Sequence, residues 1–588
     1  MRYRFERDFH LKKGVVSNLH GFVYRHMDTG FKTKWSGFWV PPYKYLDYYG
    51  IKLNGVWLGP ETLEASEYGD SMVFHHRTDF LIVHERVKVP EGKAGFEVEL
   101  EIKNTSDDPK AVKSSLKAGI DIREKSEDLG PKEYNVRRED NIEVEKDGKK
   151  LVISGERLDF QGEPYIQKHK PGEQQRCLIP GELFKKIEID AKDSIELSYR
   201  FNTGKKVEGE QQRQKQVLEN NKFGRCLEES VRSMENLEYN RNGYGIIAGH
   251  PWFQSYWARD TFWTLLGYID AGHYEKSEKI LTNFAEKGIP GKIALEGTEE
   301  KFPRSDTEPL FIIASEKLRR HYKINNGIRE ARKKAINALE MEENIVAHDP
   351  MGTWMDTLER SPAIDIQSLW LEAARIMNDE RAEKLEKGME SFKGERYPKD
   401  YLGEDSPRTV NPAVPMMLGH FETKEADKYL EKMNAEFSSY YGARTQSSAD
   451  PGYESDGYHT GSAWGLTSGW AAAANAYYGK EKRALNFMER MRSHLDRNQP
   501  GALPEVNDSE SGRSLGCDEQ AWSAGMFVHV IDSYILGMTP EDGILKVDPF
   551  EDFSCIRRNK RVEDQRVDLK FESGEVEVID GEVEIERC

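Results

Sequence analysis

The sequence is poor in cysteine and has no long apolar run. Its cysteines are scattered, odd in number and without the spacing of a metal site; they are Cys177, Cys226, Cys517, Cys555 and Cys588. This distribution predicts reduced thiols rather than a disulfide framework. No stretch approaches the roughly 20 apolar residues that span a bilayer. Residues 1–13 carry charges where a signal peptide has its apolar core. We therefore expect a cytoplasmic protein that does not contact a membrane.

The sequence also lacks a basic excess. It has 85 Lys and Arg against 103 Asp and Glu, a net charge of −18. Nucleic acids and anionic membranes bind basic surfaces, so this balance argues against both as partners and is compatible with a neutral ligand such as a sugar. The 11 tryptophans fit a sugar because indole faces stack on pyranose rings, although each can equally be a core residue. Nothing in the sequence indicates the oligomeric state.

The domain organisation follows from two periodicities. At 588 residues the chain is long enough for more than one domain. Apolar and polar residues alternate in residues 1–205, as in GFEVELEIKN (95–104) and SIELSYRFN (194–202), which predicts an antiparallel β-sandwich. Residues 206–223 are polar and are predicted to be a helical linker. Strand patterns return in a tail over 538–588, as in EVEVIDGEVEIE (575–586), which carries no evident chemistry.

Residues 224–537 have the periodicity of helices. The predicted helices lie near 224–239, 259–271, 274–287, 306–323, 326–341, 364–378, 379–393, 409–419, 423–434, 462–478, 480–497 and 517–537. Minimal turns such as Gly272-His273 and Gly479-Lys480 alternate with connections of roughly ten to nearly thirty residues, longer than usual between helices. Alternate connections of an up-down array lie at the same end, so the long loops share one rim. This arrangement predicts an (α/α)6 barrel, with function on that rim.

The long loops are rich in carboxylates, arginines and aromatic residues. They contain HPWFQSYWARD (250–260), RSDT (304–307), GTWMD (352–356), DPGYESDGYHTGSAW (450–464) and ALPEVNDSESG (502–512), with Arg408 and Asn411 on the fourth. There is no P-loop, HExxH pair, Ser-His-Asp order or paired CxxC, so we expect neither a metal nor a cofactor. Glycosidic cleavage needs one carboxylic acid to protonate the leaving oxygen and one carboxylate to activate water or attack carbon. The loop composition favours an enzyme or binder of sugars.

Each candidate residue also has a purely structural interpretation. Asp260 and Asp306 begin predicted helices and could be N-caps. Trp354 and Trp464 could be packing residues, and Glu505 could be a solvated loop residue. Asp356 is a better candidate for an acid, because its apolar neighbours Trp354 and Met355 favour a raised carboxyl pKa.

The chain resembles, over essentially its whole length, the archaeal and bacterial glycogen debranching enzymes and their amylo-α-1,6-glucosidase domain, a family related to glucoamylases and trehalases. The resemblance rests on PWFQSYWARDTFWTLLGYIDAGHYEKSEKIL (251–281), GTWMDT (352–357), DGYHTGSAW (456–464), and ALPEVND (502–508) followed by CDEQAWSAG (517–525). Two positions depart from the family pattern: Ala258 replaces the usual glycine, and RTVNP (408–412) replaces arginine-proline-asparagine.

The resemblance implies that Asp356 is the general acid and Glu505 the general base of an inverting glycoside hydrolase. It implies a sugar pocket that includes Trp257, Arg259, Asp260, Asp306, Trp354, His459 and Trp464. The implied reaction releases glucose at α-1,6 branch points of glycogen or limit dextrin. The glucanotransferase barrel of eukaryotic debranching enzymes is missing from the sequence.

Other functions of this architecture stay open. A glucoamylase or a trehalase would share the barrel and both carboxylates and would differ only around the leaving group. A disaccharide phosphorylase would have a phosphate pocket in place of the base, and Glu505 argues against it. A non-catalytic sugar-binding protein would keep the aromatic residues and lose one carboxylate, whereas both are present here.

Overall fold

The structure is a computed structural model, which describes residues 3–125, 127, 133–156, 158–168, 176–205, 207–211, 213–296, 302–541 and 543–588. The chain divides into two units. The first comprises Met1–Gln212 with Arg497–Pro500, and the second comprises Arg213–Asp496 with Gly501–Cys588. No helix in the described ranges is long and apolar enough to cross a membrane. All five cysteines are free thiols.

The first unit contains two antiparallel sheets. Over the described residues, one sheet has the strand order Tyr3–Phe5, Leu63–Tyr68, Met72–Arg77, Leu81–Lys88, Gly95–Asn104, Ser194–Asn202, Lys149–Gly155, Ile142–Lys146 and Asn135–Arg138. The other has the order Asp159–Gln161, Glu182–Ile189, Lys110–Glu124, Tyr43–Leu53, Gly37–Val40, Phe22–His26 and Lys13–Ser17, with Val56–Trp57 beside Tyr43–Leu53 and the pair Tyr165–Lys168 and Arg176–Ile179 beside Lys110–Glu124.

Alternating side chains explain how these strands form a core. The predicted strands Gly95–Asn104 and Ser194–Asn202 are confirmed and pair antiparallel, with Phe96 opposite Phe201. Their rings stack with centroids 4.2 Å apart. Buried residues of both sheets, such as Val98 and Leu116, belong to one hydrophobic cluster. Each sheet thus buries one face in the shared core, as the period of two predicts.

The second unit is mainly helical. Its helices are α1 (Gly224–Asn236), α2 (Ala258–Asp270), α3 (Tyr274–Glu286), α4 (Thr307–His321), α5 (Asn326–Ile336), α6 (Ile364–Met377), α7 (Ala382–Met389), α8 (Ala413–Met417), α9 (Thr423–Glu436), α10 (Gly465–Tyr477), α11 (Glu481–Arg492) and α12 (Ala521–His529). A 3₁₀ turn, Glu390–Phe392, follows α7, and a π-helical segment, Val530–Ile535, continues α12.

The even-numbered helices form a closed ring. Contacts run from α2 to α4, α6, α8, α10 and α12, and α12 returns to α2. Helices α3, α5, α7 and α11 each contact the even helix that precedes them. Helix α10 is apolar on most sides, and every residue of α2 and α12 is buried. A helix without a polar face needs neighbours all round, which the inner position provides.

Two predicted elements are wrong. The helix expected over 409–419 is reduced to the single turn of α8, because Pro412 keeps the preceding residue out of the helical region and α8 begins only after it. The helical linker expected over 206–223 is not helical in its described residues. They contain instead the strand Val217–Glu219, which pairs with Cys555–Val562.

The tail of the chain forms strands, as its sequence predicts. Cys555–Val562 continues into an antiparallel sheet with Gln565–Glu572 and Glu575–Asp580. Thr539–Glu541, Ile544–Val547 and Glu584–Arg587 form another small sheet. Further short strands lie between helices: Glu238–Asn240 with Tyr244–Ile246, Met341–Glu342 with Ile345–Val346, and the pairs that are described with the candidate site below.

Candidate active site

A cavity of about 220 Å³ opens within the second unit at the N-terminal ends of inner helices. It is lined by Ala248, Phe253, Trp257, Arg259, Asp260, Trp354, Asp356, Tyr458, His459, Trp464, Glu505, Gln520 and Trp522. Four of the long loops supply these residues. All of the site residues expected from the sequence line this cavity except Asp306, which lies behind it against Arg259.

Two-residue strands hold the ends of three of these loops. Tyr256–Trp257 pairs with Lys292–Ile293, and Glu519–Gln520 pairs with Gly249–His250. Ala463–Trp464 lies in a small sheet between Gly442–Arg444 and Val506–Asn507, and Ser438–Ser439 completes that sheet. Three of these strands, Tyr256–Trp257, Ala463–Trp464 and Glu519–Gln520, immediately precede the even helices α2, α10 and α12. Trp257, Trp464 and Gln520 are therefore fixed by backbone hydrogen bonds directly before the inner helices begin.

Arg259 connects two carboxylates. Its guanidinium donates to Asp306 through Nε, at 2.6 Å, and through Nη2, at 3.3 Å. Nη1 donates to Oδ2 of Asp356 at 3.0 Å. Asp306 stands at the N-cap position of α4, but its side chain makes no capping hydrogen bond. The cap interpretation of Asp306 is thus wrong, and its side chain holds Arg259 instead.

Asp356 is in an environment that favours its protonated form. Burial raises the pKa of its carboxyl, and the nearby Arg259 charge and hydrogen bond oppose that rise without cancelling it. The side chain keeps 29% of its surface exposed, so it remains accessible from the cavity. A carboxyl group with a raised pKa is better suited to donate a proton to a bound molecule than an ordinary aspartate.

Glu505 is buried and accepts two hydrogen bonds. The hydroxyl of Tyr458 donates to Oε1, and the amide of Cys517 donates to Oε2 at 2.9 Å. Burial raises the pKa of Glu505 to about 7, the two hydrogen bonds oppose the rise, and the charge of Asp356 adds to it. A carboxylate with a pKa near the working pH can take a proton from water.

Asp260 is the third residue of α2 rather than its N-cap, which is Trp257. Its Oδ1 accepts a hydrogen bond from Nε2 of Gln520 at 2.8 Å. Burial is the main reason that the pKa of Asp260 lies well above its usual range, and Glu505 and Asp356 add to the effect while Arg259 opposes it. The cap interpretation of Asp260 is therefore also wrong.

Aromatic rings form one wall of the cavity. Trp354 lies edge to face against His459 and Trp464, each with centroids 5.3 Å away, and His459 stacks on Trp464. His459 Nδ1 lies 2.7 Å from the Thr357 hydroxyl, and burial lowers its pKa to about 3, so the ring is neutral. Flat apolar surfaces beside a few fixed polar groups suit a sugar ring.

A buried polar network holds Trp354 in place. The indole Nε1 donates to Oδ1 of Asn411 at 2.7 Å, and Nδ2 of Asn411 donates to Oδ1 of Asp400 at 2.7 Å. Arg360 donates to Asp400 at 2.6 Å and to Asp365 at 2.7 Å. Asn411 thus supports the wall without lining the cavity. Arg408 pairs instead with Glu436 and Asp450, away from the lining.

Sequence reasoning missed several lining residues. Tyr458 and Gln520 lie inside the quoted motifs DGYHTGSAW and CDEQAWSAG, but no local pattern distinguishes them from their neighbours. Phe253, Trp522 and Ala248 were missed as well. Their positions depend on contacts between loops that are far apart in sequence. In the described ranges, no group of three or more His, Cys, Asp or Glu side chains could hold a metal ion.

Comparisons with known proteins concern the family and the fold of the chain. Residues 215–401 and 399–529 match the family described as amylo-alpha-1,6-glucosidase, which covers more than half of the chain. No curated protein matches the sequence. A bacterial glucoamylase in complex with acarbose has a similar fold, with a TM-score of 0.61, 13% identity, and coverage of 89% of this chain and 93% of that one. A protein described as a kojibiose phosphorylase, from the human microbiome, has a TM-score of 0.62 at 9% identity, with coverage of 100% and 96%.

The chain is a carbohydrate-active enzyme of the glycosidase type. Within that class, it belongs to the amylo-alpha-1,6-glucosidase family.

Proposed function

We propose that the protein hydrolyses α-1,6 branch linkages of glycogen or limit dextrin and releases glucose with inversion. The observation that carries this proposal is that Asp356 and Glu505 line one cavity together with Arg259, Asp260 and a wall of aromatic rings. The family match supports the linkage, and the carboxyl pair supports hydrolysis.

In the proposed reaction, Asp356 is the general acid. Its raised pKa keeps a proton available for the glycosidic oxygen as the bond to the anomeric carbon breaks. Glu505 is the general base, which takes a proton from a water molecule as the water oxygen attacks that carbon. The Tyr458 hydroxyl and the Cys517 amide orient the base through its two oxygens.

The remaining candidate residues bind the sugar in this proposal. Arg259 and Asp260 contact hydroxyl groups of the terminal glucose, and Asp306 fixes the orientation of Arg259. The aromatic residues Trp257, Trp354, His459 and Trp464 provide surfaces for the pyranose ring. The substrate is an α-glucan, and neither nucleic acid nor membrane takes part.

The architecture is part of the proposal. We assign the closed ring of even helices, with the odd helices outside it, to an (α/α)6 barrel, and the two antiparallel sheets to a β-sandwich. The proposed boundaries are 1–205 for the sandwich, 206–223 for the linker, 224–537 for the barrel and 538–588 for the tail. The proposed location is the cytoplasm.

Substrate comparison tests the proposed linkage. Purified protein is incubated separately with branched limit dextrin, isomaltose, maltopentaose and trehalose, and glucose release is followed, with Asp356→Asn as the inactive control. Release mainly from the two α-1,6-linked substrates is expected. Release mainly from maltopentaose or from trehalose would replace the proposal with a glucoamylase or a trehalase. Formation of glucose 1-phosphate only when phosphate is present would indicate a phosphorylase.

A further inference from the structure

A second cavity, of about 610 Å³, lies at the opposite ends of the inner helices. Leu266 of α2, His321 of α4, Ile376 of α6 and Ala476 of α10 line it, as does His529 of α12. These residues stand near the C-terminal ends of their helices, whereas the catalytic cavity lies at the N-terminal ends. The two cavities therefore occupy the two ends of one helical ring.

One ring nitrogen of His529 already makes a hydrogen bond within the protein. Nδ1 lies 2.8 Å from Oδ2 of Asp270, whose pKa is held low by Lys317 and other cations despite its burial. An ionised carboxylate only accepts hydrogen bonds, so Nδ1 carries the proton. Lys317 lies farther from Nδ1, at 3.3 Å, and donates to Asp270 and Ser533 instead. Nε2 of His529 is consequently left with a free lone pair.

His321 has the same arrangement. Its Nδ1 lies 3.1 Å from the hydroxyl of Tyr274, and that hydroxyl donates its proton to the carbonyl of Arg561 at 2.7 Å. The Tyr274 oxygen therefore accepts from Nδ1–H, and Nε2 of His321 is also an acceptor. Burial lowers the pKa of both imidazoles, which keeps them neutral. The two residues are only 4% and 7% exposed. The hydrogen bonds of both imidazoles among the described residues all involve Nδ1.

Four other charged groups of the lining are already paired. Lys317 pairs with Asp270, Glu316 with Arg319, Glu372 with His420, and Lys546 with Glu541. The two imidazole acceptors are available to a ligand, beside Thr539, Asp548 and Cys588 of the same lining. Around them lie the aromatic rings of Trp263, Tyr477 and Tyr534 and several aliphatic side chains.

The lining indicates the chemistry of a ligand that would fit this cavity. Two acceptors require hydrogen-bond donors, and aromatic rings favour the C–H face of a sugar. The lining carries charges of both signs, from Lys317, Arg320 and Lys546 and from Glu316, Glu372 and Asp548, so it favours neither an anion nor a cation. A neutral polyhydroxy compound satisfies all of these conditions.

We propose that this cavity is a second, non-catalytic sugar site, in which a glucose unit donates hydroxyl hydrogen bonds to Nε2 of His321 and of His529. The glucose unit can be free or can be the end of a glucan chain, because both present the same hydroxyl groups. The site requires no catalysis, so it does not depend on the reaction proposed above.

Equilibrium dialysis of the full chain tests this site. Labelled glucose and labelled maltopentaose are titrated separately, in an Asp356→Asn background that prevents turnover. Two binding sites per chain are expected for at least one of the sugars. His321→Asn with His529→Asn should weaken one site at least about tenfold, since the shorter amide replaces Nδ1–H and provides no acceptor at Nε2. Arg259→Lys should weaken only the other site.

A second variant keeps the test decisive if the histidine variant does not fold, and a melting curve of each variant shows whether it is folded. Ala476→Phe adds a ring at another residue of the lining and leaves both histidines unchanged, and it should remove the same site as the histidine pair. Loss of glucose binding alone identifies free glucose as the ligand, and loss of maltopentaose binding alone identifies a chain end. A single site that neither cavity variant affects overturns the proposal. If the Asp356→Asn chain binds two sugars but the wild-type chain does not hydrolyse α-1,6 linkages, only the proposed function is overturned.

Discussion

The Tyr458 hydroxyl donates a hydrogen bond to the Glu505 carboxylate within the candidate active-site cavity. This bond stabilises the ionised form of Glu505, whereas burial disfavours it and raises its pKa to about 7. A general base must be ionised before it can take a proton. The contact therefore helps to set the lowest pH at which the proposed base works.

Tyr458→Phe should move the acidic limb of the pH profile to higher pH. A hydrogen bond to a charged group contributes about 1.5–3 kcal/mol, and one pKa unit corresponds to about 1.4 kcal/mol. We expect a shift of about one to two units in kcat/KM, with activity retained above that limb. Tyr440→Phe, at a residue that is 88% exposed, is the control. An unchanged acidic limb would show that Tyr458 does not tune the base.

Asp356→Asn and Glu505→Gln should each lower turnover at least about 100-fold while sugar binding persists, because each amide preserves shape and removes proton transfer. Stopped assays of glucose release and binding titrations measure the two effects. Glu359→Gln and Glu510→Gln, at exposed residues of the same loops, are matched controls. If either catalytic variant kept more than about a tenth of the wild-type turnover, its role would have to be reassigned.

Arg259→Lys and Asp260→Asn should both weaken substrate binding and turnover, about tenfold or more. Lysine cannot reproduce the fork by which Arg259 reaches Asp306 and Asp356 together. Asparagine at 260 can still accept from Gln520 but loses the carboxylate. Kinetics and melting temperature are measured together. Normal kinetics in both variants would limit these residues to a structural role.

The sequence predicts the fold where one local period persists. The alternation in 95–104 identifies a strand to the residue, and helical periodicity locates α2, α3, α4 and α6 to within about two residues. The bounds of an element are not predictable where contacts with residues far away in the sequence determine them. Gln520 is drawn into a strand by Gly249–His250, so α12 begins at Ala521 instead of 517.

The candidate site was predictable only in part, for the same reason. Asp356 and Glu505 stand in motifs that resemble a known family, so local sequence was sufficient to suggest them. Tyr458 reaches Glu505 across 47 residues, and Gln520 reaches Asp260 across 260 residues. Neither motif reveals such contacts. Only the three-dimensional arrangement of the loops brings the two residues of each pair together.

Arg360→Met should destabilise the second unit strongly. The guanidinium is buried between Asp365 and Asp400, and its removal leaves both carboxylates buried without their cation. Breaking a buried pair from one side typically costs about 3–5 kcal/mol of unfolding free energy. Arg375→Met, which breaks a more exposed pair with Glu386, should cost at most about 1 kcal/mol. Urea denaturation compares the two variants, and equal losses would contradict this explanation.

Hydrolysis should release β-glucose first. The proposed acid and base act from opposite faces of the sugar, so the water attacks opposite the leaving oxygen. Proton NMR during the first minutes, on limit dextrin, shows which anomer forms before mutarotation mixes them. The Asp356→Asn variant provides the baseline. An initial α-anomer signal would make Glu505, or another carboxylate, a nucleophile instead of a base.

The ring of inner helices is closed by the contact between α2 and α12, the first and last even helices of the chain. During synthesis, α2 leaves the ribosome long before α12 exists. Every residue of α2 is buried in the finished ring, so the part of its surface that α12 covers has no final partner during that interval. Contacts of such long sequence separation form slowly, and exposed apolar surface promotes aggregation. Truncation before residue 521 should therefore yield an aggregating nascent chain, and chaperones should associate with the chain until its last inner helix emerges.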